Sequence, residues 1–186
     1  GNATINPRGF DDKFWYIRHF QNEHADDELN ADVERSLRIL SHGLGADSPP
    51  GTWMEQLSYP SSKGLLDVLP EPEVLPPWIS SEDFEYHVDQ FKISGFRGPT
   101  NWYRNLRNLN SMTPQLEGKR FSQPAAFVAG TDDDVLLYDI NWRDWFVEGF
   151  EDLRFLELVD GAAHWLQVEK PHETTALILR FLEEVS

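Results

Sequence analysis

The sequence has no cysteine and only two methionines among its 186 residues. Disulfide bonds and thiolate metal sites are therefore excluded. No run approaches the ~18 apolar residues of a membrane-spanning helix. Basic residues are scarce, since 16 Lys and Arg stand against 32 Asp and Glu, which gives a net charge of −16. Nucleic acids and anionic membranes bind clustered positive charge, so we expect neither as a partner.

Large aromatic side chains are plentiful, with seven Trp and twelve Phe. They supply apolar surface for a core or for a pocket that binds a neutral small molecule. The length is sufficient for one domain, or for a core with an insertion, that buries about two-thirds of its unfolded surface. We expect a cytoplasmic globular protein; secretion stays open, because residues 1–8 do not resemble a natural N-terminus or a signal peptide.

The first part of the sequence predicts helices separated by breakers. Residues 1–12 are polar and contain Pro7 and Gly9, which predicts a loop. Asp26–Leu40 has a helical period, whereas residues 46–77 contain seven prolines and predict a long extended loop. The apolar face predicted for the Asp26–Leu40 helix is formed by Leu29, Val33, Leu37 and Leu40.

Two further helices are predicted before the character of the chain changes. Ser80–Asp83 has the composition of an N-cap, and the helix that follows it should bury Phe84, Val88 and Phe91 and end at Gly95. The next helix is predicted at about Trp102–Asn110.

The last part alternates strand and helix. The continuous apolar run Ala125–Ala129 predicts a buried strand, and the alternating segment Leu153–Val159 predicts a second one. Helical patterns follow at Leu137–Phe150 and at Thr174–Val185, the latter with four inward residues. Strand–helix–strand–helix order indicates parallel pairing and an α/β fold. The inward residues predicted for the last helix are Leu177, Ile178, Phe181 and Leu182.

Asp133 and His164 each follow one of these strands, 31 residues apart. The carboxyl ends of neighbouring parallel strands are where open α/β sheets bind ligands. An aspartate there can fix the tautomer of a histidine that acts as a general base. The alternative is that His164 caps a turn and that the Asp132–Asp134 run is a solvated loop or N-cap. The remaining histidines lack paired ligand spacing, so we expect no metal site and no cofactor.

The segment Gly95–Asn105 carries two glycines and a proline just before Trp102 and Tyr103. An aromatic pair between turn residues can hold a phenol in a cavity with its hydroxyl available as a donor. The alternative is a packed aromatic corner in which the hydroxyl of Tyr103 bonds to a structural partner.

Four segments resemble, in family order, the motifs of epoxide hydrolases of the α/β-hydrolase fold. The resemblance covers nearly the whole chain from Pro7 onward. It implies two lid tyrosines, Tyr16 and Tyr103, an acid at Asp133 and a base at His164. The acid could slip to a neighbouring aspartate, because three stand in a row. The four segments are Trp15–Gln21, Ser94–Asn105, Gly130–Asp133 and Gly161–Pro171.

The resemblance also implies a fold and a mechanism. The fold would be a partial α/β-hydrolase: a loop over residues 1–12 leading in from the core, a helical lid over 13–118, and the last two parallel strands and helices of the core over 119–186. An aspartate would open an epoxide to give an ester, the tyrosines would activate the epoxide oxygen, and the His–Asp pair would activate water. The products would be a diol and free enzyme.

The nucleophile and the oxyanion loop of this mechanism have no match in the sequence. No Gly-x-Asp-x-Gly or Gly-x-Ser-x-Gly nucleophile elbow and no His-Gly-x-Pro oxyanion loop occurs. We therefore expect the missing N-terminal half of the hydrolase core as a partner, besides a small apolar epoxide and water, and an inactive isolated chain. A homodimer stays open. The alternatives are a haloalkane dehalogenase or esterase of the same fold, and a non-catalytic interaction module.

Overall fold

The computed structural model describes residues 12–106 and 108–186. They form two compact units, one from residues up to 43 and 47–113, the other from residues 44–46 and 114–186. Residues 1–11 of the loop predicted at 1–12 lie outside the described residues. None of the described helices has the length and apolar character that a membrane crossing requires.

The first unit is helical, as predicted. A single 3-10 turn lies at Met54–Ser58. The helices are α1 (Tyr16–His19), α2 (His24–Ala31), α3 (Val33–Gly43), α4 (Leu65–Val68), α5 (Ser81–Ser94), α6 (Arg97–Asn105) and α7 (Leu109–Met112).

The single helix predicted over Asp26–Leu40 is wrong, because Asp32 divides it into α2 and α3. Asp32 has extended backbone angles (φ −147°, ψ 91°), and its Oδ1 accepts the backbone N–H of Arg35 at 3.0 Å. An aspartate in this position caps a new helix instead of continuing the old one. The new start rotates the buried face of α3, so Leu37 and Leu40 are only partly buried. The buried residues of α3 are Val33, Ser36, Ile39 and Gly43.

The proline-rich stretch 46–77 is more ordered than predicted. It contains the 3-10 turn and α4, and it contributes Trp53 and Leu65 to the core, at 3% and 0% exposure. Single helical turns fit between prolines because they need only four or five proline-free residues. The prediction of an extended loop is therefore wrong at these two turns.

Helix α5 confirms the predicted cap signals. The Ser80 hydroxyl accepts the backbone N–H of Asp83 at 3.1 Å, and Gly95 ends the helix with φ +67°, a region that favours glycine. Phe84 and Val88 are buried at 4% each.

Helix α6 begins at Arg97, five residues before the predicted start, and ends at Asn105. Gly98 and Pro99 lie in its first turn, where the backbone N–H that proline lacks has no intrahelical partner in any case. Gly98 and Pro99 therefore open α6 instead of preceding it, whereas Gly95 ends α5.

The second unit contains two parallel strands, β1 (Phe121–Gly130) and β2 (Phe150–Val159), which confirms the predicted pairing. A 3-10 turn at Asp134–Tyr138 and α8 (Trp142–Gly149) connect them; the helix predicted at Leu137–Phe150 is thus shorter than expected. After β2 come α9 (Leu166–Glu169) and α10 (Pro171–Val185).

The core of this unit is small and lies at the carboxyl ends of the strands. Its buried residues are Val159, Ala162 and Leu166, against which Val128 and Leu177 pack. Ile178 and Leu182 are 54% and 51% exposed, so the prediction that they point inward is wrong within this chain. Only one side of α10 contacts the sheet, with Phe181 packed edge-on against Phe155 at 6.3 Å between ring centroids.

Candidate active site

Tyr16 and Tyr103 lie together in the first unit, although 87 positions separate them in the sequence. Tyr16 starts α1 and is 8% exposed, and Tyr103 lies near the end of α6. Their rings pack edge to face, with centroids 5.5 Å apart and planes at 77°. Edge-to-face packing is a preferred arrangement of aromatic rings, and it fixes the two phenol rings against each other.

An aromatic wall surrounds the pair. The Phe20 ring lies 4.9 Å from that of Tyr103 and 5.9 Å from that of Tyr16. The Trp53 ring lies 5.2 Å from that of Tyr16. Trp53 comes from the proline-rich stretch, so this stretch helps to build the wall. Tyr16, Phe20 and Trp53 are buried, so the wall is a packed aromatic cluster.

Two amide side chains fix the backbone of the tyrosines. The Gln21 Nε2 donates to the carbonyl of Ile17 at 3.0 Å and to that of Tyr103 at 2.8 Å, which ties α1 to α6. The Oε1 of Gln56, which is fully buried, accepts the backbone N–H of Tyr16 at 3.0 Å. The resemblance includes Gln21, the last residue of the segment Trp15–Gln21. It did not point to Gln56, and the only available signal was an uncharged polar residue between Trp53 and Leu57 in an otherwise breaker-rich stretch.

An ion pair next to Tyr103 holds α6 against α2. Arg104 donates to both carboxylate oxygens of Asp26, at 3.0 and 2.8 Å. The hydroxyl of Thr100 donates to the same carboxylate at 2.5 Å. Burial alone raises the pKa of Asp26, but the hydrogen bonds from Arg104 and Thr100 and the charges of Arg104 and Arg97 outweigh it. The net effect holds the pKa below its usual value.

Replacing Asp26 with asparagine should therefore destabilise the chain by roughly 3 kcal/mol at neutral pH, because a largely buried guanidinium loses its counter-charge. Urea unfolding followed by tryptophan fluorescence measures the difference. The stabilisation from the depressed pKa is present in full above the unfolded value of about 3.9. The gap between wild type and variant should thus shrink as the pH falls through the folded pKa. The neighbouring Asp27→Asn is the control, since Asp27 is exposed; an equal loss there would contradict the assignment.

The phenol of Tyr103 keeps its proton at physiological pH. Burial raises its pKa above the ordinary value of about 10. The group is therefore neutral, with its proton in place, at physiological pH. Among residues 12–106 and 108–186, the only hydrogen bond to Tyr103 from a side chain reaches its backbone carbonyl, and none reaches its hydroxyl.

Asp133 and His164 lie together in the second unit. Gly130 pairs with Val159 at the ends of β1 and β2, so both residues follow the same edge of the sheet. The His164 Nδ1 lies 3.2 and 3.3 Å from the two carboxylate oxygens of Asp133. In the neutral imidazole assigned from this contact, Nδ1–H donates to the carboxylate, which leaves the Nε2 lone pair free to accept a proton.

The backbone joins the acid loop closely to the histidine loop. A Cβ on Gly130 would lie 2.1 Å from the carbonyl oxygen of Ala162, so only glycine allows this approach. The N–H of Thr131 donates to the carbonyl of Val159 at 3.0 Å, and that of Asp132 to the carbonyl of Ala162 at 2.9 Å. These contacts set the distance between Asp133 and His164 through the main chain.

Asp133 is the member of the aspartate run that contacts the imidazole. Its Oδ1 also accepts the N–H of Val135 at 2.9 Å, which caps the 3-10 turn. Its side chain is 11% exposed, against 38% for that of His164. Asp132 instead accepts a hydrogen bond from the hydroxyl of Thr131. The same side chain therefore contacts His164 and caps the 3-10 turn.

Three histidines of the described part of the first unit pair with single carboxylates, and one of them, the exposed His24, lies 3.6 Å from Asp27. His19 lies 2.7 Å from Glu28, and His42 lies 2.5 Å from Asp47. Within the described ranges, no group of three or more His, Asp or Glu side chains is arranged to hold a metal ion.

Known proteins resemble the chain over most of its length. No protein-family model matches it. Epoxide hydrolase A of Mycobacterium tuberculosis is 41% identical over 174 residues, which are 93% of this chain and 53% of that protein. The bifunctional epoxide hydrolase 2 of Rattus norvegicus is 31% identical over 125 residues, 64% of this chain and 21% of that protein.

Solved structures of epoxide hydrolases also superpose on the chain. Epoxide hydrolase A from Mycobacterium thermoresistibile superposes with a TM-score of 0.83 at 37% identity, over 95% of this chain and 54% of that one. An epoxide hydrolase from an endophytic Streptomyces superposes with a TM-score of 0.84 at 26% identity, over 95% and 53%. The chain thus spans about half the length of each of these two solved structures.

Proposed function

We propose that this chain, a homologue of the epoxide hydrolases of the α/β-hydrolase fold, supplies the groups that activate the epoxide oxygen and the hydrolytic water in an epoxide hydrolase. The helical region 13–118 would be the lid, and residues 119–186 would be the last part of the core. The substrates would be a small apolar epoxide and water, and the product would be a diol.

Tyr16 and Tyr103 would act in the first chemical step. A carboxylate nucleophile attacks one epoxide carbon from the back, a C–O bond forms to it, and the C–O bond of the ring breaks. The alkoxide that would leave is strongly basic, so it must receive a hydrogen bond and then a proton as the ring opens. Two phenols on one wall can hold that oxygen together, and the raised pKa of Tyr103 keeps its proton available until charge develops.

His164 and Asp133 would act in the second step. The His164 Nε2 takes a proton from water, and the hydroxide oxygen attacks the ester carbonyl. The imidazolium then gives its proton to the departing diol oxygen, and the carboxylic acid loses a proton, which restores the carboxylate and the phenol deprotonated in the first step. Asp133 holds the tautomer through Nδ1 and stabilises the imidazolium that forms. The side chain of His164 is 38% exposed, so water can reach the imidazole.

A nucleophile-bearing partner would complete the second unit. Exposed apolar side chains on α10 indicate which surface it would cover, at 54% for Ile178, 54% for Leu179 and 51% for Leu182. Burying such a row stabilises an interface. The partner is the half of the hydrolase core that carries the nucleophile elbow, and a homodimer would be a further layer of assembly.

The packed pair of phenols is the observation that carries this proposal. Haloalkanes expel a halide and esters expel an alkoxide from a tetrahedral intermediate, and neither reaction needs two phenols on one three-membered-ring oxygen. The His–Asp pair alone fits a dehalogenase or an esterase equally well.

The test joins this chain to the nucleophile-bearing half of a homologous epoxide hydrolase. The joined protein should open styrene oxide to its diol, and the 186-residue chain alone should show only the background rate. Haloalkane and p-nitrophenyl ester turnover serve as the comparison. Turnover of a haloalkane or a p-nitrophenyl ester without epoxide opening would favour the dehalogenase or the esterase alternative. Activity of the isolated chain would show that it contains a nucleophile of its own.

A further inference from the structure

The carboxylate of Glu169 binds the main chain on both sides of His164. Its Oε2 accepts the N–H of Ala163 at 2.5 Å, and its Oε1 accepts the N–H of Trp165 at 3.2 Å. The N–H of His164 itself donates to the carbonyl of Leu44 at 3.2 Å. Three consecutive amides therefore have defined acceptors, and two of those acceptors belong to one side chain.

We propose that Glu169 is the positioning residue of His164. A bidentate acceptor fixes the peptide planes before and after the histidine, and with them the direction of its Cα–Cβ bond. The imidazole is then already oriented towards the Asp133 carboxylate. This role rests on the proposed function only in so far as that function makes His164 the base.

The bond from the N–H of Trp165 is a helix-capping contact, because Trp165 is the N-cap of α9, but the bond from Ala163, two residues earlier, is not. Glu169 therefore does more than cap its own helix. It is the last residue of α9, and a negative charge at the C-terminal end of a helix opposes the helix dipole. Its carboxylate nevertheless lies at the other end of that single turn, against amides outside the helical hydrogen bonds. The favourable contacts are thus with the segment that carries His164.

The hydrogen bond between His164 and Asp133 is long enough to be sensitive to this support. At 3.2 and 3.3 Å, it lies near the upper end of hydrogen-bond distances, and a shift of ~0.5 Å would break it. Positioning within about 0.5 Å is what a general base requires.

Glu169→Gln is the variant that tests the proposal. Glutamine has the same length, but its one carbonyl oxygen can accept only one of the two N–H groups, and its amino group faces the other as a second donor. Glu173→Gln is the matched control, because it removes the same charge from the exposed first turn of α10.

The measurement is nuclear magnetic resonance on the full 186-residue chain with ¹⁵N-labelled histidine. In Glu169→Gln, the downfield Nδ1–H resonance of His164 should be lost or shifted upfield, and the amides of Ala163 and Trp165 should exchange faster with solvent. The control should keep both signatures. If Glu169→Gln does not fold, Glu169→Asp, which withdraws both oxygens by one methylene, should show the same loss. An unchanged Nδ1–H resonance in whichever variant folds overturns the proposal.

A kinetic readout in the joined protein is independent of this one. Ester hydrolysis in Glu169→Gln should slow on the order of 10²-fold, as for a base displaced by about 1 Å, while the rate of ester formation stays the same. Equal slowing of both steps would indicate a general structural defect and overturn the positioning role. Failure of the proposed function would instead appear as an absence of ester in every variant, with the resonance signatures intact.

Discussion

Replacing His164 with glutamine in the joined protein should abolish steady-state epoxide hydrolysis and leave a covalent ester on the enzyme. The attack on the epoxide uses the nucleophile and the two phenols, so it does not require the imidazole. Hydrolysis of the ester does, because neutral water is too weak a nucleophile without a base that accepts its proton. Glutamine has a shape similar to that of histidine but no basic nitrogen. Intact-protein mass spectrometry after addition of styrene oxide should show a gain of one substrate mass.

His172→Gln is the control for this experiment. His172 is exposed in the first turn of α10, so its loss should change neither turnover nor mass. Turnover by His164→Gln at the wild-type rate would show that another group is the base.

Removing both phenols should produce the other large effect. Tyr16→Phe and Tyr103→Phe each delete one donor to the epoxide oxygen and keep the ring that packs at 5.5 Å. The loss of one preorganised donor typically costs roughly 2.7–4 kcal/mol, or 10²–10³ in rate. The double variant loses both donors and should be nearly inactive. Rapid-quench measurement of ester formation locates the defect in the first step, in contrast to His164→Gln.

Tyr86→Phe controls for the loss of a hydroxyl, since Tyr86 lies on α5 and is 62% exposed. Melting temperatures of all the tyrosine variants should stay close to that of wild type, because the rings remain. Wild-type rates of ester formation in Tyr16→Phe and in Tyr103→Phe would show that the phenols do not act in the first step.

Local signals in the sequence were sufficient for much of the fold. Ser80 and Gly95 bound α5 as predicted, since a serine cap and a left-handed glycine act within a few residues. The parallel strands followed from the apolar runs before Gly130 and Asp160, and their common edge is why Asp133 and His164 meet.

The wrong predictions concern segments whose structure depends on tertiary contacts or on competing local hydrogen bonds. Asp32 has helix on both sides, and only its bond to Arg35 shows that it starts a new one. The fixing of Tyr16 by Gln56 joins residues 40 positions apart, which no periodicity encodes. Ile178 and Leu182 have the pattern of a buried face, but the described chain provides no surface to cover them.

Measuring the adduct mass in two variants of the joined protein tests most directly whether this chain takes part in both chemical steps. In the joined protein, His164→Gln should gain the mass of one styrene oxide within the first turnover. Adding Tyr16→Phe and Tyr103→Phe to that variant should suppress the gain over the same time. Equal adduct in both proteins would show that the phenols do not activate the epoxide, and no adduct in His164→Gln would contradict the covalent, two-step account.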